Sequence, residues 1–281
     1  MLDSDPVRAE TTSFRADTWL ALMDRSTTPA QSLTSARQLF RVIEGIEEAQ
    51  PVGVTELSRA LDIPTSSVQV YVNTLYENGY IVKVGSKYRL ALRFFRHGMN
   101  ALRTFEIYPA AKPKVYELAE ETGELVAAFV EERGQAVYAV AAAGERAIRT
   151  DLNIGAHTDL HCTAGGKAML ANLPREDADA IIETRGLPAY TDSTITDVDD
   201  LEAELEEIRA NGVAFNEEES IPNMNAVAAP VISGGTVLGS ISISGPSTRF
   251  HGSLFEDELA GRVKSTANEI ELNLEYDETV Y

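Results

Sequence analysis

The sequence predicts an α+β protein in two parts: a small helical unit that ends in a hairpin, then a larger unit built on a mainly antiparallel sheet. Three observations carry this reading. Apolar residues recur at helical spacing as far as Leu75, and two short strand-like runs joined at Gly85-Ser86 follow. Beyond Pro109, helical patterns stand at both ends of a cluster of strands. Charge is also unevenly divided. The 281-residue chain carries a formal −20, yet no acid lies between Glu77 and Glu106, where Lys83, Lys87, Arg89, Arg93, Arg96 and Arg103 fall. A basic stretch on an acidic background is suited to a polyanion, nucleic acid first among them.

Ser35 followed by Gln38 predicts a capping box for a first helix, with Leu39, Val42, Ile43 and Ile46 facing inward as far as Ala49. Pro51 and Gly53 break it. Thr55 is read as the cap of a second short helix that turns Leu57, Ala60 and Leu61 inward, and Asp62-Ile63-Pro64 as a tight turn. The third helix starts at Thr65, buries Val68, Val72 and Leu75, and stops at Asn78-Gly79. Strands from Tyr80 to Val84 and from Lys87 to Leu90 complete the unit. Helix, helix, turn, helix, hairpin is the order of a winged helix-turn-helix, expected over residues 35–90. Its third helix would enter a major groove and its hairpin would touch the flanking backbone. Thr65, Ser66, Ser67, Gln69, Tyr71 and Asn73 could then reach base edges or phosphate oxygens, and Lys83, Lys87 and Arg89 the phosphates. A small helical domain packing protein against protein would use the same elements.

Residues 91–105 read as one connecting helix within a 91–108 linker, with Leu92, Phe95, Met99 and Leu102 on an apolar stripe that a second copy could cover. The second unit, residues 109–276, opens with a helix from Ala110 to Thr122, ended by Gly123. Strands are expected over Leu125 to Glu131, Val137 to Ala143 and Ile148 to Ile154, then helices over Thr163 to Leu173, Asp177 to Thr184 and Asp199 to Asn211. Strands return over Val213 to Glu218, Ala226 to Ile232 and Val237 to Ser244, and a last helix spans Phe255 to Leu274.

The balance of 44 acids to 24 bases points to high-salt adaptation, because a Debye length of about 3 Å in molar salt screens self-repulsion. An acidic protein of ordinary salt has the same composition. The lone Cys162 excludes an intrachain disulfide and a four-cysteine metal framework, and it suits a reducing cytoplasm. No run approaches the length of a membrane helix, and no basic segment followed by an apolar one opens the chain, so neither a membrane partner nor a secreted leader is expected. Residues 1–34 read as a flexible extension with a short helix around Trp19, Leu20, Leu22 and Met23.

Three segments together resemble the IclR transcriptional regulators. They are the winged unit, the string Leu160-His161-Cys162-Thr163-Ala164-Gly165-Gly166-Lys167-Ala168-Met169-Leu170-Ala171, and Ala228-Ala229-Pro230-Val231 followed by Ser242-Ile243-Ser244-Gly245-Pro246. The resemblance spans residues 35–275 and implies a winged helix-turn-helix, a linker helix and a C-terminal GAF-like effector domain, in a homodimer or homotetramer without a cofactor. It places a small-molecule effector at Ala164, Gly165, Asn216, Ala226, Ser242 and Ser244, with Glu219 as a neighbour of the site. From the residues themselves, Gly165 and Gly166 either free backbone N–H groups for a carboxylate or phosphate or permit close helix–sheet packing. Ser242 and Ser244 share one face of a strand. Asn216, Asn223 and Ala226 stand where the family usually carries Asp, Gly and Cys, which implies a different effector from its short keto acids, and Val70 stands where many members carry Arg.

Other chemistry is weaker. Gly166-Lys167-Ala168 is no phosphate-binding P-loop, since His161 replaces the leading glycine and Ala168 lacks a hydroxyl for magnesium. His157, His161 and Cys162 are close in sequence but too few for a zinc site. Cys162 as a nucleophile lacks a suitably aimed base, and the carboxylate clusters around Glu204 and Glu217 read as solvated faces. No catalytic residue, metal or enzymatic activity is expected.

Overall fold

The computed structural model describes residues 33–148 and 154–278. The predicted extension and its short helix around Trp19 lie outside them. The chain divides into two compact units between Ala91 and Leu92.

In the first unit, α1 (Thr34–Ala49), α2 (Val54–Leu61) and α3 (Thr65–Glu77) precede a hairpin of β1 (Ile81–Val84) and β2 (Lys87–Leu90). Val42, Ile46, Leu57, Ile63, Val68, Val72, Leu75, Ile81 and Tyr88 form its buried core. Each apolar side chain fully withdrawn from water contributes on the order of 1.5–3 kcal/mol, which offsets the entropy of ordering these short helices. Both predicted caps are displaced. α1 begins one residue before Ser35, at Thr34, without a side-chain cap, and Gln38 accepts from Arg41 instead. α2 is entered from Gly53, whose N–H donates to Glu56 Oε2 at 2.7 Å, so Thr55 already lies within the helix. Gly79 takes φ 72° beyond α3, in the left-handed region where glycine has no steric penalty.

The second unit begins with α4 (Arg93–Leu102) and α5 (Ile107–Thr122). α5 starts earlier than predicted. Pro109 sits in its first turn, where a missing N–H costs nothing, and only Pro113 removes an interior hydrogen bond. Six antiparallel strands follow in the spatial order β5-β4-β3-β8-β7-β6. They are β3 (Leu125–Glu132), β4 (Gln135–Ala143), β5 (His157–Asp159), β6 (Ala214–Glu217), β7 (Met224–Ser233) and β8 (Thr236–Pro246). Between β5 and β6 lie α6 (Ala164–Leu170), α7 (Arg175–Arg185) and α8 (Val198–Asn211). A π-helical turn, Leu254–Leu259, leads into α9 (Ala260–Glu278).

The strand expected from Ile148 to Ile154 lies mostly outside the described residues, and its described ends are not in a strand. The edge strand is β5, nearer α6.

Strand alternation gives the sheet two different faces. Val126, Ala128, Val130, Val227, Ala229, Val231, Ile241 and Ile243 pack with Ala111, Val115 and Leu118 of α5 and Val263, Ala267 and Ile270 of α9. The opposite face carries Phe129 and Ser240, and α6 lies over it: Ser240 Oγ donates to the Gly165 carbonyl at 2.8 Å.

Candidate functional site

In the first unit, burial of Val68, Val72 and Leu75 turns Ser66, Gln69, Val70 and Asn73 outward, and all four are exposed. Thr65 is exposed too, but its hydroxyl pairs with that of Ser58 at 2.9 Å. Ser67 is half-buried, and Tyr71 is half-buried against the core, so both sit at the margin of the outward face. Gln69 Nε2 donates to Asn73 Oδ1 at 2.8 Å, one helical turn on. α3 begins at Pro64 without a side-chain cap, the kind of helix start that attracts phosphate.

The hairpin cations are not equally free. The Lys83 ammonium lies 5.4 Å from the ring centroid of Tyr76 and 5.7 Å from that of Tyr88, which holds it over the rings at the end of α3 and on β2. Lys87 pairs with Glu56 at 2.9 Å. Hydrogen bonds from Gly53 and Lys87 keep the Glu56 carboxyl below its ordinary range. Arg89 is exposed and reaches the Leu90 carbonyl at 3.1 Å.

In the second unit, strand register gathers the remaining candidates. Asn216 pairs with Ala226, Ala226 with Ser244 and Ser244 with Leu125, so these four form one row across the sheet. Ala214, Ala228, Ser242 and Ala127 form the adjoining row on the same face. Pro230, Ser240 and Phe129 form the next, beneath α6. Residues from three separate stretches thus meet on one surface, opposite the helix that starts at Ala164. Ala226 and Ser244 are half-buried and Ser242 is buried, and neither serine hydroxyl has a hydrogen-bond partner among the described residues. Asn216 differs. Its amide donates to the Cys162 carbonyl and accepts from the Glu219 N–H at 3.3 Å, so it ties loops together.

Between the two readings of the glycines, the geometry favours packing. A Cβ on Gly165 would stand 2.6 Å from Phe129, and one on Gly166 2.4 Å from the Leu160 carbonyl oxygen. Thr163 caps the helix by accepting from the Gly166 N–H at 3.1 Å. Gly165 therefore lets α6 lie against the sheet and Gly166 lets the loop of residues 160–163 fold close beneath it, and of the leading amides that of Gly166 is already engaged.

The strongest electrostatic feature is Lys167, which is 0 % exposed. Its ammonium donates to Glu219 Oε1 at 2.6 Å and to Glu204 of α8. Burial raises the Glu219 carboxyl above its ordinary value against the opposing pull of Lys167, and Glu219 Oε2 is buried without a hydrogen-bond partner. Thr194 and Thr191 hydroxyls donate to the Glu219 and Glu218 carbonyls at 2.6 and 2.7 Å, which fixes the β6–β7 connection. The sequence reading of Glu204 as part of a solvated acidic face is corrected accordingly, since its partner is a buried cation.

Around β5, Asp159 accepts from Tyr190, Arg185 and Gln135. Burial pushes its carboxyl up, but these hydrogen bonds outweigh that and hold it below its ordinary value. His161 is buried with Nε2 3.1 Å from the Pro188 carbonyl, and burial lowers its pKa, favouring the neutral ring. His157 is exposed beside Glu132 at 3.8 Å. Among the described residues, no group of three His, Cys, Asp or Glu is placed to hold a metal ion. Burial, then the Asp159 and Glu219 carboxylates, push the Cys162 thiol up to about 12, which leaves no nucleophilic thiolate near neutral pH.

Two measurements test this geometry. Replacing Lys167 with Met strands two carboxylates and should cost about 3–5 kcal/mol in urea unfolding of the second unit, part of which the double variant with Glu219→Leu recovers. Cys162 keeps its proton longer in the fold than its ordinary value of 9.0 allows. The stability this contributes is complete below that value and lost as pH rises toward about 12. The advantage of the native protein over Cys162→Ala should therefore shrink between about pH 8 and about pH 11 in denaturation midpoints.

Comparison with known proteins agrees with both units. Residues 99–272 match the family model described as the bacterial transcriptional regulator IclR C-terminal domain, and residues 35–85 the IclR helix-turn-helix domain. The HTH-type transcriptional regulator KdgR of Dickeya chrysanthemi is 29% identical over 84% of this chain and 78% of its own length. The protein named "Probable HTH-type transcriptional regulator ArcR" of Halobacterium salinarum is 27% identical over 86% and 94%. The Thermotoga maritima IclR crystal structure superposes with a TM-score of 0.75 at 26% identity, covering 85% of this chain and 98% of that one. A helix-turn-helix unit and a C-terminal domain that both match, in the same order and over most of the chain, make this protein a member of the IclR family of transcriptional regulators, with an N-terminal DNA-binding and a C-terminal effector-binding domain.

Proposed function

We propose that this protein binds promoter DNA as a homodimer or homotetramer through α3 and the β1–β2 hairpin, and that a small molecule held against the Ser242 and Ser244 face shifts the population of DNA-competent molecules. The observation that carries the effector half is the convergence of Asn216, Ala226, Ser244 and Ser242 in two adjoining rows opposite Ala164 and Gly165. Because the Asn216 amide is committed to Cys162 and Glu219, the two serine hydroxyls are the polar groups offered to the effector. Ala127, Ala226 and Ala228 give the same face small, uncharged side chains, which suits an effector other than a short keto acid.

On the DNA side, Ser66, Gln69 and Asn73 stand exposed on α3 for base edges, with Thr65, Ser67 and Tyr71 at its margin. Lys83 and Arg89 meet phosphate, joined by Lys87 once it exchanges Glu56 for the backbone. Leu92, just before α4, and Phe95 within it, 81% and 66% exposed, are covered by a second copy. The protein acts in the cytoplasm at high salt and turns over no substrate. The relative from Halobacterium salinarum and the acid excess support the salt assignment.

A second reading has two observations in its favour. The Lys87–Glu56 pair and the −20 net charge weaken a phosphate-binding wing, as suits a metabolite-binding protein whose winged unit associates with another protein. Enrichment of discrete genomic sites on pull-down separates the two, since only the regulator yields them.

Substituting Lys83, Lys87 and Arg89 together by Gln should weaken binding to all DNA sequences and flatten the salt dependence of the affinity by up to about three contacts. A gel-shift titration that shows unchanged affinity would contradict the assignment. The double variant Ser242→Leu, Ser244→Leu should abolish the effector response while leaving operator binding intact. Loss of both at once would instead indicate misfolding.

A further inference from the structure

On the outward face of α3, Val70 is 61% exposed. An isolated exposed valine is ordinary on a protein surface. This one is not placed at random. It lies at the middle of a 13-residue helix whose other exposed side chains, Thr65, Ser66, Gln69, Asn73, Thr74 and Tyr76, are uncharged apart from Glu77 at the far end. In a chain with 24% charged residues, a charge-free helix face suits contact with base edges better than with phosphates.

The polar neighbours are arranged to match. Gln69 and Asn73 are hydrogen-bonded to each other at 2.8 Å, one amide nitrogen to one amide oxygen. On these two exposed side chains that bond leaves one amide oxygen and one amide NH₂ without a partner among the described residues, whichever of the two donates. An acceptor beside a donor is the complement of adenine in the major groove, which offers the N6 donor and the N7 acceptor. Thymine, in turn, is the base that presents an apolar group there, its C5-methyl. Thr74 Oγ1 donates to the Val70 carbonyl at 2.9 Å, so its hydroxyl is occupied beside the valine.

We propose that Val70 is a specificity-determining residue that packs on the C5-methyl of a thymine, next to an adenine read by the Gln69–Asn73 pair. The inference rests on the DNA-binding reading above and names the base pairs that reading leaves open. It also fits high salt: a methyl contact releases no counterions, so it persists where phosphate contacts fade.

The test uses the full-length protein and a randomised duplex pool. Bound sequences are selected, and in the recovered site each thymine is then replaced in turn by uracil, which removes only the methyl group. Native protein should lose about fourfold in affinity at one thymine per half-site, the effect of burying one methyl group. Val70→Ala, a change at an exposed position that favours helix, removes both γ-methyl groups and should bring the thymine-over-uracil preference down toward unity. Replacing the adjacent adenine by 7-deazaadenine should weaken native protein as well. A selected site with no methyl-sensitive thymine, or a Val70→Ala protein that keeps the sensitivity, overturns the inference and leaves the DNA-binding reading standing. Failure to enrich any sequence overturns both.

Discussion

A buried ammonium orders the second unit. Lys167 is fully enclosed, and its partners Glu204 and Glu219 come from α8 and from the β6–β7 connection. Desolvating such a cation costs several kcal/mol unless strong partners replace water, so these two elements are held wherever Lys167 is held. Lys167 in turn belongs to α6, which the absence of a side chain at Gly165 allows to approach Phe129 and Ser240, while Gly166 lets the preceding loop of residues 160–163 lie close. The Asn216 amide closes the circuit by joining the Cys162 carbonyl to the Glu219 N–H. The candidate effector surface lies beside this clamp: a small-residue sheet face with two unengaged hydroxyls. One face of the sheet is a dry core under α5 and α9, and the other is polar, with α6 held over part of it.

The two units divide the electrostatics between them. Residues 35–100 carry eight bases against six acids, while the whole chain stands at −20. A basic hairpin on such a background is selective in where it meets a polyanion, but its own pairing with Glu56 and the two tyrosine rings limits the free charge it brings. The neutral face of α3 is the complement of that weakness. On the function proposed above, specificity depends more on the shape and hydrogen-bond pattern of side chains such as Gln69 and Asn73 than on counterion release.

Most of the elements were legible because periodicity reports which side of a segment is buried. The three helices and hairpin of the first unit, and the strands carrying Ala226 and Ser242, all follow from it. Helix starts were read less well. Gly53 enters α2 through a backbone N–H, and a cap without a polar side chain leaves no mark at its own position. The row of Asn216, Ala226 and Ser244 could be assembled from the family resemblance, but strand register, a long-range property, is what places them on one face. Lys167 and Glu204 were missed as a pair because lysine and glutamate ordinarily signal solvent. The signal that was available is the company Lys167 keeps: it stands within Ala164-Gly165-Gly166-Lys167-Ala168-Met169-Leu170, where every neighbour is small or apolar. The commitment of the Asn216 amide and the Gln69–Asn73 bond depend on rotamers that a sequence does not carry.

Native-state amide hydrogen exchange on the full-length protein tests the clamp most directly, because it reads the stability of α6 separately from that of the sheet. If Lys167 and its two carboxylates hold α6 in place, the amides of Lys167 to Ala171 exchange only with global unfolding of the second unit, as slowly as those of β8 at Ile241 and Ile243. Rapid exchange in α6 while β8 stays protected would show that the helix opens on its own, and would contradict the account.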